Sequence, residues 1–354
     1  MSSSTMKRWV LGGNGGAPAR LDLQSVPLPE PGPGQVRLRV HAAALNSRDL
    51  AVRENRYGLP SAPGLVPLSD GAGIVDAVGP DVDGWVTGDR VITVYFDGWP
   101  DGAPGPHMGQ GLGSGAENGV LAEYAILAAD RIVRAPAGLS LTEAATLPCA
   151  ALTAWTAIRG NRPYRARELG PDDTVLVLGT GGVSLFTVQL AGLSGARVWV
   201  ATGSPGKRRQ LEKLGVAGVV DHGRAEHWGR DVFDRTGGAR LVVNTVGGGS
   251  LDQAIAAVGY DGEIAYLGLF DFAGAAPDLL SLMGKGASIR GVAVGSAAAA
   301  DDLTAAVDQH GLEPVIDRVV DFADAPQAYD RHAQRDSFGK IVVEMVPAKE
   351  TDQG

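Results

Sequence analysis

Residues 174–186 read TVLVLGTGGVSLF, which is the pattern of a strand, a glycine turn and a helix. A short run of β-branched and leucine residues, typical of a buried strand, leads directly into Gly179-Thr180-Gly181-Gly182-Val183-Ser184, which has the spacing G-x-G-x-x-S. The apolar residues that follow predict a helix. A glycine turn between a strand and a helix leaves backbone N–H groups free to bind a dinucleotide diphosphate. The alternative, an ordinary glycine turn, does not account for the second strand predicted about twenty residues later, which the dinucleotide fingerprint requires.

The chain after residue 150 alternates strand-like and helix-like segments. The predicted strands are residues 174–179, 197–201, 219–222, 241–246 and 263–267. The predicted helices are residues 183–193, 207–214 and 250–258. Strands joined by helical crossovers pair in parallel, so residues 151–295 are predicted to form a Rossmann-type α/β domain with a doubly wound parallel sheet.

The first 150 residues have a different pattern. Apolar and polar side chains alternate over residues 35–42, and short runs of the same kind follow at 73–78, 90–95 and 121–126, separated by Gly and Pro. This pattern predicts an antiparallel, β-rich domain over residues 1–150. Strands at 315–322 and 341–345, with a helix at 325–333 between them, predict that residues 296–354 complete that domain. The Gly- and Pro-rich residues 97–115 are predicted to form a long surface loop, a candidate cover for a site.

Length, charge and cysteine content limit the possible partners. The chain has 354 residues, enough for two domains with large cores, and a net charge of −9, which argues against nucleic acid as the main partner. The single cysteine, Cys149, cannot form an internal disulfide. No stretch approaches the roughly 20 apolar residues that cross a bilayer, and residues 1–8 lack the pattern of a secretory signal. We therefore expect a cytoplasmic protein that acts on a small molecule.

The segment after the second predicted strand indicates which dinucleotide binds. A site for NAD places an acidic residue here to hold the two ribose hydroxyls. Residues 201–209 read ATGSPGKRR and contain no acid. The hydroxyls of Thr202 and Ser204, the cations Lys207 and Arg208, and the neighbouring Arg209 suit a 2′-phosphate, which a carboxylate would repel. We therefore predict NADPH as the cofactor. The alternative is a solvated first helical turn, where Lys and Arg are common.

The whole chain, from about residue 8 to 346, resembles the medium-chain dehydrogenase/reductase superfamily, in which a GroES-like β domain precedes a Rossmann domain. Besides the glycine motif, the resemblance rests on LNSRDL (45–50), DGAGIVDAVG (70–79), GDRV (88–91), LPCAALTAW (147–155) and GKIV (339–342). Zinc-dependent members of the superfamily hold a catalytic zinc ion with a Cys, a His and a third Cys or Asp. The corresponding positions here resemble Asn46, Ser69 and Cys149, and one thiol with an amide and a hydroxyl is a poor zinc site. The resemblance is therefore to the zinc-free branch, which includes quinone oxidoreductases and enone or enoyl reductases.

The absence of zinc ligands affects the expected chemistry. Reduction of a simple ketone needs an electrophile for the alkoxide, which zinc provides. A quinone or an α,β-unsaturated carbonyl spreads the developing charge over an enolate, so hydrogen bonds suffice. We therefore expect an NADPH-dependent, zinc-independent oxidoreductase that transfers hydride to such a substrate. The alternatives are a zinc-free alcohol or ketone dehydrogenase and, in another class, a non-catalytic structural or RNA-associated member.

The resemblance also implies roles for individual residues. Expected to contact the cofactor are Thr153, Gly179, Thr180, Gly181, Gly182, Val183, Thr202, Ser204, Lys207, Arg208, His222, Asn244, Val246, Gly268, Leu269, Arg335 and Lys340. Within this set, Thr153 is expected beside the nicotinamide, His222 near adenine, and Arg335 and Lys340 near the phosphates. Each position also has a simpler explanation in packing or surface charge.

The first domain supplies the candidate substrate site. Its candidates are Asn46, Ser47, Tyr57, Ser69, Asp70 and Tyr95. Asn46 can donate a hydrogen bond to a carbonyl oxygen, and Tyr57 can donate a proton, so these two and Thr153 are the catalytic candidates. Arg48 and Asp49 either form a structural ion pair or touch the substrate. The resemblance further implies a homodimer in which residues 288–294, the last Rossmann strand, pair edge to edge.

Overall fold

The computed structural model describes residues 4–12, 18–58, 60–161, 168–224, 226–268 and 276–345. The chain divides into two compact units, which we call the β unit (Met1–Leu152 with Gly295–Gly354) and the α/β unit (Thr153–Val294). Among the helices in the described ranges, none combines the length and the apolar composition needed to cross a bilayer.

The α/β unit alternates strands and helices, as predicted. Its strands are β8 (Thr174–Leu178), β9 (Arg197–Thr202), β10 (Gly218–Asp221), β11 (Ala239–Asn244), β12 (Val258–Tyr266) and β13 (Ser288–Gly291), numbered after seven strands of the β unit. Its helices are α3 (Leu152–Arg159), which starts at the last residue of the β unit, α4 (Gly182–Gly192), α5 (Arg208–Lys213), α6 (Trp228–Thr236), α7 (Leu251–Ala257) and α8 (Leu279–Gly284), numbered after α1 and α2 of the β unit.

The six strands of this unit form one parallel sheet in the order β10-β9-β8-β11-β12-β13. Every residue of β8 is buried, because helices cover both faces of a central parallel strand and only apolar or small side chains suit that position. From β8 the chain moves outward to β9 and β10 and then returns to β11 on the other side. The strand order therefore reverses between β8 and β11, and ligands of open α/β sheets bind at the carboxyl ends of strands at such a point. The predicted doubly wound α/β fold is confirmed.

The β unit contains the remaining elements. Its first strands and helices are β1 (Thr5–Gly12), β2 (Arg20–Pro27), β3 (Gln35–Ala44), α1 (Ser47–Arg53), β4 (Asp70–Val78), β5 (Arg90–Thr93), β6 (Tyr124–Ala128), β7 (Ile132–Arg134) and α2 (Leu141–Ala144). After the α/β unit it continues with α9 (Ala297–His310), β14 (Ile316–Asp321), α10 (Ala325–Ala333) and β15 (Lys340–Glu344).

Strand β3 pairs with three other strands of the β unit. It pairs antiparallel with β4, β6 and β15, and β15 pairs in parallel with β14, so the C-terminal strands extend the sheet begun by the N-terminal ones. The apolar side chains of β3 are fully buried, as the alternation at 35–42 predicts. Strand β15 starts at Lys340, and its pairing with β3 brings Lys340 to the start of α1.

Residues 97–115 differ from the predicted surface loop. Trp99 and Leu112 are buried, and the N–H of Leu112 donates to the carbonyl of Tyr95 at 3.1 Å. A Cβ atom on Gly111 would lie 2.5 Å from the Tyr95 ring, so this loop packs against that side chain closely enough to require glycine. Trp99 and residues 111–115 are therefore buried, whereas Asp97, Gly98 and most of the residues between Trp99 and Gly111 are exposed.

Candidate active site

The glycine turn after β8 has the geometry of an anion site. Gly179 has φ of +79°, a conformation that favours glycine, and its N–H donates to the carbonyl of Ala201 on β9 at 2.7 Å. Gly181 precedes the first turn of α4 in an extended conformation. A Cβ atom on Gly181 would meet nothing within 4 Å, so the space in front of this helix N-terminus is open. Gly182 and Val183 form the first turn of α4, whose free N–H groups and partial positive charge attract phosphate.

Two hydroxyl groups fix the shape of this turn. Ser184, the third small residue of the motif, donates to the carbonyl of Leu178 at 2.7 Å and ties α4 to the end of β8. Thr245, which follows β11, donates to the same carbonyl at 2.5 Å. The ends of β8 and β11 are thereby held together at the point where the strand order reverses.

The loop after β11 is held by Asn244. Its side-chain oxygen accepts from the N–H groups of Val246 and Gly247 at 3.1 and 2.9 Å, and its amide donates to the carbonyl of Gly247 at 3.1 Å. The Asn244 side chain therefore shapes the loop. Val246, the other residue of this segment expected to contact the cofactor, is partly exposed. A Cβ atom on Gly268 would lie 2.2 Å from the backbone of Val246 and Gly247, so the chain beyond β12 passes directly against this loop. Leu269, also predicted at the cofactor, lies outside the described residues.

Polar groups collect at the end of β9, next to the glycine turn. The Thr202 hydroxyl is buried and accepts from the N–H of Ser204 at 3.1 Å. Lys207 is partly buried and donates to the Thr180 hydroxyl at 3.0 Å, which places its ammonium beside the glycine turn. Arg208, in contrast, is exposed and pairs with Glu212 at 3.0 Å along α5. His222 is exposed after β10, with its ring near Gly203.

The β unit holds a second group of polar side chains, buried around Lys340. The Lys340 ammonium donates to the carbonyl of Leu45 at 2.7 Å, to Asn46 Oδ1 at 2.6 Å and to Asp70 Oδ2 at 3.4 Å. Asp70 also accepts from the Ser69 hydroxyl at 2.7 Å and from the N–H of Cys149 at 3.2 Å. We call these residues, Asn46, Ser69, Asp70, Cys149 (through its backbone N–H) and Lys340, the lysine cluster. It unites three of the predicted substrate-site residues.

The Lys340 ammonium has all of its donors in use. An ammonium has three N–H donors, and three oxygens of the β unit accept them. Lys340 is also only 3% exposed. It is therefore a buried partner of Asn46 and Asp70, and its expected place near the cofactor phosphates stays a prediction. Arg335, the other member of that expected pair, is exposed and has a left-handed backbone with φ of +56°.

Burial changes the proton affinities of the groups around the lysine cluster. Burial, reinforced by the Asp70 carboxylate, raises the pKa of the Cys149 thiol to about 12, so Cys149 is not a thiolate nucleophile at neutral pH. Burial raises the pKa of Asp49 to about 6, although Arg48 opposes the shift. Burial and then the Lys340 charge lower the pKa of His332 to about 4, so this imidazole is neutral. His332 was missed by sequence analysis, because no motif connects it to Asn46.

Two tyrosines from distant parts of the β unit meet at one point. The hydroxyl groups of Tyr57 and Tyr95 lie 3.0 Å apart, and the guanidinium of Arg48 lies 4.7 Å from the centre of each ring. Tyr95 is buried, which raises the pKa of its hydroxyl, whereas Tyr57 is partly exposed. Arg48 does not form the structural ion pair that was one of its two expected roles, since its Nη1 donates to the carbonyl of Leu112 while Asp49 accepts from the N–H of Asn46.

Two further residues predicted at the active site, Ser47 and Thr153, have no described contact with the groups of residues above. Ser47 is the first residue of α1 and is partly buried. Thr153 is the second residue of α3 and is 5% exposed. Their roles stay predictions.

Comparison with known proteins agrees with this architecture. Residues 32–137 match the alcohol dehydrogenase GroES-like domain, and residues 182–310 match the zinc-binding dehydrogenase family. A zinc-type alcohol dehydrogenase-like protein of Schizosaccharomyces pombe is 36% identical over 319 residues, which cover 88% of this chain and 91% of that protein.

Solved structures show the same similarity. A crystal structure from Sinorhizobium meliloti, described as that of an alcohol dehydrogenase, is 39% identical, with a TM-score of 0.87 over 98% of this chain and 100% of the other. A crystal structure of an NAD-dependent alcohol dehydrogenase is 32% identical, with a TM-score of 0.85 over 96% of this chain and 100% of the other. Two family models that follow one another along the chain, with relatives this similar over most of its length, show that the protein belongs to the medium-chain dehydrogenase/reductase superfamily of oxidoreductases.

Proposed function

We propose that this protein reduces a conjugated carbonyl compound, an enone or a quinone, with NADPH and without a metal ion. The observation that carries the proposal is the lysine cluster, in which an ammonium group occupies the polar centre of the β unit and binds Asn46 and Asp70. The positive charge there belongs to a side chain that cannot act as a Lewis acid. A substrate whose charge spreads over an enolate needs only hydrogen bonds, and such a substrate fits this centre best.

The donor set does not fit the zinc ion that the names of the relatives suggest. Structural and catalytic zinc sites use thiolates, imidazoles or carboxylates as ligands. Across the ranges that the structure describes, no group of three or more His, Cys, Asp or Glu side chains is placed to hold a metal ion. A divalent cation near Asn46 and Asp70 would also be repelled by the Lys340 ammonium, which already uses their oxygens.

The residues around the glycine turn fit a nicotinamide dinucleotide. The backbone from Gly179 to Val183 would hold the diphosphate, and Thr202, Ser204 and Lys207 would hold the 2′-phosphate of NADPH. When bound, the cofactor would supply a hydride from its nicotinamide ring. One similar structure is described as NAD-dependent, so the preference for NADPH depends on this chain's own Lys207.

Asn46 and Tyr57 are the residues proposed to act on the substrate. Because Asn46 Oδ1 accepts from Lys340, the Nδ2 amide is the end left to donate, and it has no partner among the described residues. It can therefore donate to a carbonyl oxygen. Tyr57 can deliver a proton to the carbon that becomes carbanion-like, and its hydroxyl lies 3.0 Å from that of Tyr95.

Activity against a panel of substrates tests this function. We expect 2-cyclohexen-1-one and 1,4-benzoquinone to be reduced, measured as loss of NADPH absorbance, and metal analysis to find far less than one zinc per chain. The second candidate, a metal-independent alcohol dehydrogenase, is favoured by the names of the relatives. Turnover of simple alcohols or ketones without turnover of the two conjugated carbonyls would favour it and would contradict our proposal.

A Lys207→Glu variant should distinguish the two dinucleotides. We expect its affinity for NADPH to fall about 10-fold or more, since a charge-assisted bond to phosphate is replaced by repulsion, while its affinity for NADH changes little. Fluorescence titration with each cofactor measures both affinities. The matched control is Arg230→Glu, which makes the same charge change on α6, where Arg230 forms an exposed pair with Asp234. Equal losses for both cofactors in the Lys207 variant would show that Lys207 does not contact the 2′-phosphate.

We also propose that two copies of the chain associate through β13. This strand is an edge of the parallel sheet, so it presents unpaired backbone groups. Beside it in sequence, α8 exposes Leu279, Leu280 and Met283 at 59%, 73% and 71% of their surface. Such apolar exposure on one short helix indicates a surface that is covered in an assembly.

A Leu280→Glu/Met283→Glu variant should convert the proposed dimer into a monomer, because two charges would be buried at the interface. Light scattering measures the mass. Leu193→Glu is the control, since Leu193 is an exposed apolar residue at the end of α4. A monomeric native protein would refute the assembly.

A further inference from the structure

The guanidinium of Arg48 is buried with most of its donors unused. Arg48 is 3% exposed, and its Nη1 donates to the carbonyl of Leu112 at 2.6 Å. Its Nε and Nη2 are fully buried and have no hydrogen-bond partner in the described part of the chain. A buried N–H of a charged group without an acceptor is costly, so the protein retains this arrangement against its own stability.

Other arginines in the molecule show how unusual this is. Arg131, equally buried, uses all three nitrogens: Nε on the carbonyl of Val94, Nη2 on the carbonyl of Tyr95, and Nη1 on the carboxylate of Glu117. Arg290 also has an acceptor for each nitrogen. The fold can therefore supply a hydrogen-bond acceptor for every nitrogen of a buried guanidinium. At Arg48 it supplies an acceptor for one nitrogen only.

Arg48 is nevertheless held in place. The rings of Tyr57 and Tyr95 each lie 4.7 Å from its central carbon, and the Leu112 carbonyl fixes one end of the guanidinium. Leu112 is itself tied to Tyr95 by a backbone hydrogen bond. The unused Nε and Nη2 groups are thus oriented in advance, which is the condition under which donors stabilise a developing charge most effectively.

The two unused donors point along one edge of the guanidinium plane. In Arg290 the same two nitrogens converge on a single oxygen, Glu263 Oε1, at 3.0 and 2.7 Å. The corresponding edge of Arg48 can therefore hold one anionic oxygen. We propose that Arg48 is a catalytic residue that binds the substrate oxygen on which negative charge develops during reduction. This inference rests on the proposed function and names the group that takes over the role of a metal ion.

In the proposed step, the C=C bond of the substrate is reduced by addition of a hydride and then of a proton. A hydride adds to the carbon β to the carbonyl and forms a new C–H bond. The C=C electron pair forms a new double bond to the carbonyl carbon, and the C=O π pair moves onto oxygen, which accepts the two N–H groups of Arg48. The α carbon then takes a proton from the Tyr57 hydroxyl, the saturated carbonyl is restored, and Tyr57 regains its proton from solvent. The substrate gains two electrons, which the nicotinamide loses.

Entry of the substrate requires a local opening, because both unused nitrogens lie beneath the surface. We expect Tyr57 to move, since it is partly exposed, whereas Tyr95, the other ring in contact with the guanidinium, is 1% exposed. The segment that carries Tyr57 follows the end of α1 and has no regular structure. When Tyr57 is displaced, Arg48 keeps its hydrogen bond to the Leu112 carbonyl and its contact with the Tyr95 ring.

Binding of 4-nitrophenol tests the oxygen site without any turnover. Its ionised form absorbs visible light, and its oxygen resembles that of an enolate. In the presence of NADP⁺, at a pH well below the probe's own pKa, where only a small part of it is ionised in water, we expect the wild-type protein to increase the ionised fraction of the probe several-fold. An Arg48→Met variant, which keeps apolar bulk between the two rings, should not. Equal phenolate absorption with both proteins, including no binding to either, would show that the unused edge of Arg48 does not bind an anionic oxygen and would overturn the inference.

Turnover of 2-cyclohexen-1-one provides the second measurement. Arg48→Ala should lower kcat about 100-fold or more with little change in NADPH affinity, and millimolar guanidinium chloride should restore part of the lost rate. Arg131→Ala is the control, since guanidinium should not restore any activity that a purely structural arginine supports. If Arg48→Met and Arg48→Ala, both checked for folding by circular dichroism, turn over at the wild-type rate, Arg48 has no such role although the proposed function stands. If the wild-type protein ionises the probe but reduces no enone or quinone, the proposed function fails and the oxygen site remains.

Discussion

A Gly181→Val variant should fold normally and bind NADPH about 100-fold more weakly. The backbone of Gly181 is extended, with φ of −78° and ψ of −177°, which a β-branched residue adopts without strain. A Cβ atom there would meet nothing within 4 Å, so the protein itself accommodates the side chain. The two methyl groups would instead fill the space where a diphosphate approaches the N-terminus of α4. A loss of about 2.7 kcal/mol in binding corresponds to the expected factor.

The opposite end of the same helix supplies the control for this variant. Gly192 is the last residue of α4 and likewise has no atom within 4 Å of an added Cβ. Gly192→Val should leave both the melting temperature and the NADPH affinity unchanged. Fluorescence titration and thermal unfolding measure the two quantities for each variant. Unchanged cofactor affinity in Gly181→Val would show that the diphosphate does not bind at this turn.

The glycine turn could be predicted because everything that defines it is local in sequence. Strand β8, the turn and α4 are contiguous, and each needs only its own residues to be identified. The parallel sheet follows from strands that alternate with helices. Helices α6 and α9 were not predicted, since α6 is short and mostly polar with few apolar residues, and α9 starts with four alanines that give only a weak apolar period.

The lysine cluster and the tyrosine pair could not be predicted in the same way. Lys340 and Asn46 are 294 positions apart, and Tyr57 and Tyr95 are 38 apart. Only the pairing of β15 with β3 brings the first pair together, and no local pattern specifies that contact. The resemblance identified Asn46, Asp70 and Tyr95 as residues of interest. It could not show that Lys340 donates to Asn46 and Asp70, because the motif GKIV carries no information about which oxygens the lysine contacts.

A Lys340→Met variant should be destabilised by about 3–5 kcal/mol. Asp70 has no exposed surface, and removal of Lys340 would leave its carboxylate with only neutral donors, the Ser69 hydroxyl and the Cys149 N–H. Urea unfolding measures the effect. The exposed pair of Arg230 and Asp234 on α6 is the control, because Arg230→Met should cost about 0.5 kcal/mol or less.

The double variant Lys340→Met/Asp70→Asn separates stability from catalysis. With both charges removed, no unpaired ion is buried, so the double variant should be clearly more stable than Lys340→Met. If the two variants were equally unstable, the coupling between Lys340 and Asp70 would be refuted. The activity of the double variant should stay low, because Asn46 Oδ1 has lost the ammonium that orients the amide. The Nδ2 group is then free to turn away from a substrate oxygen. Recovery of stability together with full recovery of kcat would mean that Lys340 only neutralises Asp70, whereas recovery of stability alone would identify Lys340 as the residue that positions Asn46.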